Sequence, residues 1–297
     1  MSHPHHHATS PELARITLGF VPLLDAALLI VARERGCFAD QGLDVSLSRE
    51  NAWATLRDKV AAGLLDGAQM LAPMPLAMSL GLGRAPCDTL APLLLSRNGN
   101  TVTLSTALSE ASGATLGDAP VVSALALGNW LRGPGNGKRP RLAMVYPYSS
   151  QHYQLREWLT LGDIDPERHV ELVALPPPRM VEALRSGEID GFCAGEPWGT
   201  LARHCGAGRL VATGDQLWPD HPEKVLGVTR SWAEHYPATL AALLRALVAA
   251  SEWLAASPEN RRQALAWLAL PPYLDHSVRH LESLELNAAP IRQRLYG

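Results

Sequence analysis

Two stretches of the sequence follow one pattern, GLLDGAQMLAP at residues 63–73 and GEIDGFCAGEP at residues 187–197. Both read Gly-x-(Leu/Ile)-Asp-Gly, then five residues, then proline. Glycine, aspartate and proline are common turn residues, and a short apolar run bounded by them is typical of a buried strand. The pattern therefore predicts that the same corner, from a helix into a short strand, is built twice.

The segments before the first copy alternate between strand and helix patterns. The sequence predicts a strand from Ile16 (ITLGFVP), a helical stretch across 26–38 with Gly36 as its end signal, a strand over 43–50, a helix over 54–65 and a strand over 67–71. In the second of these helices, the spacing of Leu56, Val60 and Leu64 predicts one shared apolar face. This βαβαβ order is typical of a parallel sheet covered by helices.

The same order leads to the second copy. The sequence predicts a strand over 141–147, a helix from Ser149 or Ser150 through Leu161, a strand over 169–175, a helix around 180–185 and a strand over 189–194. We therefore predict two α/β lobes joined by two crossings, near residues 98–105 and 220–228. Lobe 1 comprises residues 14–99 and 226–297, lobe 2 comprises residues 100–225, and a ligand cleft lies between them.

The composition is that of a folded protein without a polyanionic partner. Of the 297 residues 47% are hydrophobic and 19% charged, and the net charge of −3 gives no electrostatic case for binding nucleic acid or membranes. Four scattered cysteines lack metal-ligand spacing, so we expect reduced thiols, no metal and no cofactor. The start, MSHPHHHATSPELAR, has no apolar stretch of signal-peptide length, so we expect a cytoplasmic protein with a disordered, histidine-rich tail.

Several polar and aromatic residues are predicted to lie at the strand ends and crossings that face the cleft. They are Trp53, Asn98, Gln151, His152, Gly195 and Lys224. Strand carboxyl ends and helix N-termini are where open α/β sheets bind anions. An indole N–H, side-chain amides, a glycine that admits backbone N–H groups and one ammonium together suit a small, flat anion.

Each of these residues also has a purely structural interpretation. Trp53 suits a packing role, and Gln151 and His152 suit the exposed first turn of a helix. Asn98 and Gly195 are common turn formers, and an isolated lysine such as Lys224 is usually solvated. Their shared location at the predicted cleft favours the binding interpretation for the set.

Two long stretches, residues 19–78 (GFVPLLDAALLIVARERGCF onward) and residues 176–198 (PPPRMVEALRSGEIDGFCAGEPW), resemble the nitrate- and bicarbonate-binding proteins of ABC transporters. The likeness runs from about residue 15 to 290 and is greatest to the family's cytoplasmic branch, the nitrate/nitrite sensors that partner an antiterminator. This resemblance implies a type II periplasmic-binding-protein fold, which agrees with the two lobes predicted from the repeat.

The resemblance also implies roles for individual residues. The family's binding positions fall on Trp53, Asn98, Gln151 with His152 beside it, Gly195 and Lys224. Bicarbonate-binding relatives carry an acidic residue at the last position and nitrate binders carry lysine, so Lys224 favours nitrate or nitrite. The resemblance further implies that the ligand-free protein holds an RNA-binding antiterminator and releases it when the anion binds. We therefore expect a protein partner and no direct contact with nucleic acid or membrane.

Other functions stay open at this point. The chain suits the solute-binding component of a nitrate or bicarbonate ABC transporter, or a receptor for an organic sulfonate, which needs an apolar annexe beside the anion site. An enzyme on the same fold, such as a pyrimidine-precursor synthase, is the alternative from another class. No nucleophile elbow or paired catalytic carboxylates occur, Glu196 and Asp190 are catalytic candidates by default only, and RGPGNGKRP (132–140) lacks phosphate-loop spacing. We predict a binding protein, and we expect Lys224→Glu to abolish nitrate binding with the fold intact.

Overall fold

The computed structural model describes residues 10–133 and 139–274. The predicted histidine-rich tail, most of the glycine-rich loop at 132–140 and residues 275–297 of the predicted lobe 1 lie outside the described residues. The strands are β1 (Arg15–Phe20), β2 (Asp44–Arg49), β3 (Gly67–Leu71), β4 (Thr89–Arg97), β5 (Asn100–Ser105), β6 (Arg141–Met144), β7 (Glu171–Ala174), β8 (Gly191–Gly195), β9 (Gly208–Thr213) and β10 (Pro222–Thr229).

Helices cover both sets of strands. They are α1 (Ala27–Glu34), α2 (Cys37–Asp40), α3 (Trp53–Ala61), α4 (Met74–Ser79), α5 (Thr106–Ser112), α6 (Pro120–Arg132), α7 (Ser150–Leu161), α8 (Met180–Ser186), α9 (Trp198–His204), α10 (Gly214–Leu217), α11 (Arg230–His235), α12 (Pro237–Ala256) and α13 (Pro258–Leu268), with 3₁₀ turns at Leu24–Ala26 and Pro177–Arg179. The two predicted βαβαβ units are therefore present, from β1 to β3 and from β6 to β8.

The described strands form two five-stranded sheets of matching topology, β2-β1-β3-β10-β4 and β7-β6-β8-β5-β9. In each sheet the three strands of the βαβαβ unit are parallel, as the repeat predicts. The strand beside the third one is antiparallel and arrives from the other half of the chain, β10 in the first sheet and β5 in the second. The sheets are therefore mixed, because each crossing of the chain contributes a strand.

The repeated corner has the same construction in both lobes. Thr17 donates its N–H to Asp66 at 2.7 Å, and Arg141 donates its N–H to Asp190 at 2.8 Å, so each aspartate fastens its corner to the first strand of the unit. A Cβ on Gly67 would lie 3.0 Å from the carbonyl oxygen of Gly227, and one on Gly191 would lie 2.8 Å from that of Thr103. The glycines are thus required where the antiparallel strand crosses close to the third strand.

Lobe 1, defined here as the first sheet with its helices, also receives the C-terminal helices. α12 packs against α1, α2 and α13. Within the described residues this helix alone has the length and apolar composition of a membrane span. Its buried positions, including Thr239, Leu243, Leu247 and Leu254, follow helical spacing, which is the pattern of a helix that covers a core.

Two features of lobe 1 differ from the sequence prediction. The predicted lobe boundary at residues 225/226 lies inside β10, whose residues from Pro222 onward pair with β4 or β3 in the first sheet. Leu64 was predicted on the buried face of α3 but is 69% exposed. The helix ends at Ala61, and Gly63 adopts a left-handed φ of 70°, so Leu64 lies in a turn that points away from the core.

Candidate functional site

Lys224 lies on β10 at the boundary between the lobes and is completely buried. In a regular strand the neighbours Glu223 and Lys224 would point to opposite faces. The pairing of β10 with β4 shifts register on both sides of Lys224, and both side chains are buried and contact each other. The irregular register thus brings an acid and a base together at the place where the lobes meet.

The ammonium group of Lys224 lies between two carboxylates. Its Nζ is 2.6 Å from Asp25 Oδ2 and 2.7 Å from Glu223 Oε1, and it lies 5.5 Å from the ring centroid of Trp53. Within the described residues these carboxylates accept two of the three ammonium hydrogens, so one remains for a ligand. Lys224 is therefore a buried, paired cation rather than a solvated surface lysine.

Glu223 connects lobe 1 to lobe 2, defined as the second sheet with its helices. Its carboxylate accepts hydrogen bonds from Asn100 Nδ2 at 2.6 Å, from Gln151 Nε2 at 2.5 Å and from Ser150 Oγ. Asn100 begins β5 and the other two residues open α7, so all three donors come from lobe 2. The predicted ligand residue Gln151 is thus held in the site by an acid that the sequence analysis did not select.

Asp25 is fixed from within lobe 1. Gln69 Nε2 donates to Asp25 Oδ1 at 2.5 Å, and Val21 donates its N–H to Gln69 Oε1 at 3.1 Å. Gln69 belongs to the first repeated corner, and Asp25 follows the end of β1. The corner therefore positions one of the two carboxylates on Lys224.

Two predicted ligand residues carry buried polar atoms without a partner among the described residues. They are Trp53 Nε1 and both side-chain atoms of Asn98, Oδ1 and Nδ2. Trp53 is 1% exposed and Asn98 is 3% exposed, so solvent does not satisfy these groups from outside. Because unpaired buried donors are costly, these atoms indicate where a polar ligand binds.

The structure places Gly195 in the site and leaves His152 at its edge. Gly195 ends β8 in the second repeated corner and lies against Leu23 and Asp25 of lobe 1. His152 Nδ1 donates to the carbonyl oxygen of Pro147 at 2.6 Å, and its ring stacks on Tyr153. The imidazole of His152 is therefore engaged locally on α7, and its position in the sequence beside Gln151 does not bring it into the Lys224 cluster.

Replacing Gly195 with alanine is expected to weaken anion binding at least tenfold with a small effect on thermal stability. The new Cβ would lie 2.8 Å from Leu23 Cδ2 and 3.4 Å from Asp25 Oδ2, across the lobe boundary. The clash therefore opposes lobe closure rather than folding of either lobe. Titration of Gly195→Ala and the open-space control Gly117→Ala with nitrate measures this effect, and equal affinities for both variants would count against it.

The two lobes are in direct contact near the site. Leu24 donates its N–H to the carbonyl oxygen of Glu196 at 2.9 Å, and Arg57 donates to the Tyr146 hydroxyl at 2.6 Å. One apolar cluster contains Leu23 and Trp53 of lobe 1 together with residues of lobe 2. A ligand therefore reaches Lys224 only when the lobes separate, so binding and closure are linked.

The two crossings that allow such a motion lie side by side. Asn98 and Gly99 connect β4 to β5 with φ angles of 56° and 88°, and Asp220 precedes β10 with a φ of 57°. Asn98 donates its N–H to His221 O at 3.1 Å, which ties the first crossing to the second. Left-handed residues at both crossings mark the positions where the backbone turns between the lobes.

The two carboxylates beside Lys224 differ in their proton affinity. Burial raises the pKa of Asp25, and the charge of Lys224 offsets only part of that effect. Burial also opposes ionisation of Glu223, but the charge of Lys224 and the hydrogen bond and charge of His221 prevail and hold the pKa of Glu223 at about 2. Glu223 is therefore the ionised partner, and Asp25 is the group that takes up a proton.

Nitrate affinity is consequently expected to rise as the pH falls from neutrality toward the raised pKa of Asp25. Protonation of Asp25 removes a negative charge beside Lys224, while nitrate stays ionised over this range. For one coupled proton the affinity rises by up to about tenfold per pH unit above the Asp25 pKa and levels off below it. Calorimetry at several pH values tests this, and Asp25→Asn should bind with little pH dependence. A variant that keeps the full pH dependence would contradict the role of Asp25.

The two residues named as default catalytic candidates have structural contacts. Glu196 accepts hydrogen bonds from Thr200 N and Thr200 Oγ1, each at 3.1 Å, at the start of α9. Burial raises the pKa of Glu196 to about 7 against these hydrogen bonds. Asp190 binds the N–H of Arg141 in the second repeated corner. These contacts account for both carboxylates without a reaction.

Sequence reasoning missed four residues of the site: Asp25, Asn100, Ser150 and Glu223. An expected anion ligand favours donors and cations as candidate residues, so acids are not selected from the sequence. One signal was present, since Asp25 interrupts the otherwise apolar run VPLLDAALLIVA, where a charge is usually paired. Glu223, directly before Lys224 in a strand, gives no such signal because regular alternation would separate the two side chains.

Comparison with known proteins places the chain in a family. Residues 9–269 match the NMT1-like family. The chain belongs to the NMT1-like family. In sequence it is 42% identical over 272 residues to the nitrate import ATP-binding protein NrtC of Synechocystis sp. (strain PCC 6803), covering 91% of this chain and 39% of NrtC. It is also 34% identical over 255 residues to the bicarbonate-binding protein CmpA of Synechococcus elongatus, covering 83% of this chain and 55% of CmpA.

The structure agrees with this assignment. The crystal structure of the periplasmic nitrate-binding protein NrtA from Synechocystis PCC 6803 superposes with a TM-score of 0.82 at 29% identity, covering 92% of this chain and 70% of NrtA. The NMT1-like protein therefore has the periplasmic-binding-protein fold of two α/β lobes, as predicted. It spans about two fifths of NrtC and about half of CmpA. The predicted kinship with nitrate- and bicarbonate-binding proteins is confirmed, and it favours a solute-binding protein over an enzyme.

Proposed function

We propose that this NMT1-like protein binds nitrate or nitrite between its lobes, at Lys224, and serves as the solute-binding component of an ABC transport system. One observation carries the anion proposal: a fully buried ammonium lies 5.5 Å from the centroid of the Trp53 ring, whose buried N–H has no partner among the described residues. The free hydrogen on Lys224, Trp53 Nε1 and Asn98 Nδ2 supply donors to oxygen atoms.

The surrounding acids support a small monovalent anion. Asp25 and Glu223 are both within 2.7 Å of Lys224 Nζ, so these three groups together carry no net positive charge. A dianion such as sulfate meets stronger repulsion from these carboxylates than nitrate does. Selectivity for a singly charged ligand therefore follows from the acids rather than from the lysine alone.

The transporter assignment is supported by the relatives' names. NrtC is named a nitrate import ATP-binding protein, and CmpA is named a bicarbonate-binding protein. None of the relatives described above is named for an antiterminator, so the cytoplasmic sensor and its RNA-binding partner stay predictions from the sequence resemblance. Copurification with a permease and ATPase, as against an RNA-binding protein, separates the two assignments.

Calorimetric titration with nitrate, nitrite, bicarbonate and sulfate tests the proposed ligand. We expect nitrate or nitrite to bind at least tenfold more tightly than sulfate or bicarbonate at neutral pH. The control is Lys59→Met, a substitution of a half-exposed lysine in lobe 1, which should bind like the native protein. Preference for bicarbonate or sulfate, or absence of binding to all four anions, would overturn the proposal.

A further inference from the structure

A cavity with a volume of about 350 Å³ is lined by residues of both lobes. Its walls come from α3, from α4 and from the loop that follows α4 in lobe 1, and Tyr146 of lobe 2 also lines it. Cavities of this size are typical of sites for small organic ligands. The cavity is separate from Lys224, and neither the anion proposal nor the repeated corner accounts for it.

The charged side chains that line this cavity have an excess of positive charge. Arg57 and Arg84 share the single carboxylate of Asp58, at 2.7 and 3.1 Å. Arg57 uses three of its five N–H hydrogens, one each on Nε, Nη1 and Nη2, to contact Asp58 and Tyr146. The other two have no partner among the described residues. A planar guanidinium with free N–H groups matches a carboxylate ligand.

The remaining walls are apolar and built from small or adaptable side chains. Ala61 of α3 and Ala77 and Met78 of α4 line the cavity, together with Leu82 of the following loop. Alanines leave room for a ligand body, and methionine adapts to its shape. The lining therefore fits an organic acid whose carboxylate faces Arg57 and whose apolar part contacts these side chains.

The cavity is connected to the anion site by two short segments. Arg57 lies one turn after Trp53 on α3, and the Arg57 guanidinium contacts the hydroxyl and, at 5.7 Å, the ring of Tyr146. The Tyr146 carbonyl accepts a hydrogen bond from Ser149 Oγ at 2.6 Å, directly before the α7 residues that hold Glu223. A ligand that contacts both Arg57 and Tyr146 therefore requires the closed arrangement of the lobes.

We propose that this cavity is a second ligand site for a small organic monocarboxylate with an apolar body. The carboxylate binds Arg57 and the Tyr146 hydroxyl together and thereby favours the closed lobes. If nitrate binds as proposed above, the two ligands strengthen each other's binding by the same factor, since coupling between two sites is reciprocal. The coupling between the two ligands rests on the proposed function, whereas binding of the monocarboxylate does not.

Binding of a monocarboxylate in the cavity is tested by saturation-transfer NMR. Benzoate and hexanoate are the probes, and benzamide and hexanamide are the uncharged controls. We expect the acids to bind and the amides not to bind. Arg57→Gln should weaken acid binding about tenfold or more, as the loss of a charged hydrogen-bond pair predicts. Ala61→Phe fills the cavity from an exposed helix position and should abolish binding, whereas Arg179→Gln, an exposed arginine on lobe 2, should bind normally.

The outcomes separate this site from the anion site. Any of four results would overturn the cavity proposal. They are displacement of benzoate by nitrate, equal binding of acid and amide, acid binding that Ala61→Phe leaves unchanged, and no binding of either acid. If the acids bind, saturating benzoate should tighten nitrate binding at least fivefold, within the usual range of allosteric coupling. Unchanged nitrate affinity would overturn the coupling, and failure of nitrate to bind without benzoate would overturn the proposed function while leaving acid binding as an independent result.

Discussion

Lys224→Met is expected to abolish nitrate binding and to lower the free energy of unfolding by about 3–5 kcal/mol, the usual cost of breaking a buried ion pair. Methionine approximates the length of the lysine side chain but leaves Asp25 and Glu223 buried beside each other without a cation. Urea denaturation and nitrate titration at neutral pH measure the two effects. Arg179→Met removes an exposed ion pair with Glu188 and should cost no more than about 1 kcal/mol.

The pH dependence of this loss identifies its cause. Without Lys224, burial and mutual repulsion raise the pKa values of both acids in the folded variant above their unfolded values. Groups whose folded pKa is raised stabilise the fold at low pH and lose that contribution as the pH rises. The stability deficit of Lys224→Met should therefore be smaller at pH 5 than at pH 8, and an equal deficit at both would contradict the ion-pair explanation.

The burial of Lys224 also revises the outcome expected from sequence for charge reversal. Lys224→Glu was expected to abolish nitrate binding with the fold intact, as at a surface position. The structure places the residue between Asp25 and Glu223, so a glutamate would add a third carboxylate to a site without solvent. We now expect this variant to be less stable than Lys224→Met, which makes methionine the better test of binding.

Glu223→Gln is expected to destabilise the protein by about 3 kcal/mol and to favour separated lobes. The carboxylate accepts hydrogen bonds or ion pairs from five side chains, Asn100, Ser150, Gln151, His221 and Lys224. A glutamine turns one acceptor into a donor that faces other donors, and the first three of these partners belong to lobe 2. Urea denaturation gives the stability, and small-angle X-ray scattering without ligand gives the degree of opening.

Two comparisons make this experiment specific. Glu188→Gln removes an exposed acid that pairs with Arg179 at 3.2 Å and should change neither stability nor shape by a measurable amount. The double variant Glu223→Gln/Lys224→Met should be more stable than the sum of the single losses predicts, by about 1–3 kcal/mol, because the two residues interact directly. Additive losses would show that the two side chains act independently.

Much of the fold could be predicted from sequence because its signals are local. The repeated Gly-x-(Leu/Ile)-Asp-Gly pattern located β3 and β8, and the helix and strand patterns before each copy located the rest of both units. The antiparallel β5 and β10 were not placed in their sheets. Each pairs with strands distant in sequence, and no local periodicity encodes a distant partner.

The candidate site was predictable only in part for a related reason. Trp53, Gln151, Gly195 and Lys224 lie at strand ends or helix starts, where the topology itself indicates a cleft. Glu223 escaped prediction because the irregular register of β10 overrides regular alternation. The hydrogen bond from His152 to the Pro147 carbonyl depends on the local path of the chain before α7. The position of His152 next to Gln151 in the sequence does not reveal that path.

The central claim, that an oxyanion accepts a hydrogen bond from Trp53 beside Lys224, is tested most directly by NMR of protein with ¹⁵N-labelled tryptophan. Of the indole N–H resonances from the eight tryptophans, the one missing in Trp53→Phe identifies Trp53. Saturating nitrate is expected to shift this resonance downfield more than any other, because the Trp53 N–H, which has no partner within residues 10–133 and 139–274, gains a charged acceptor. Nitrate binding that leaves the Trp53 resonance in place would contradict the account.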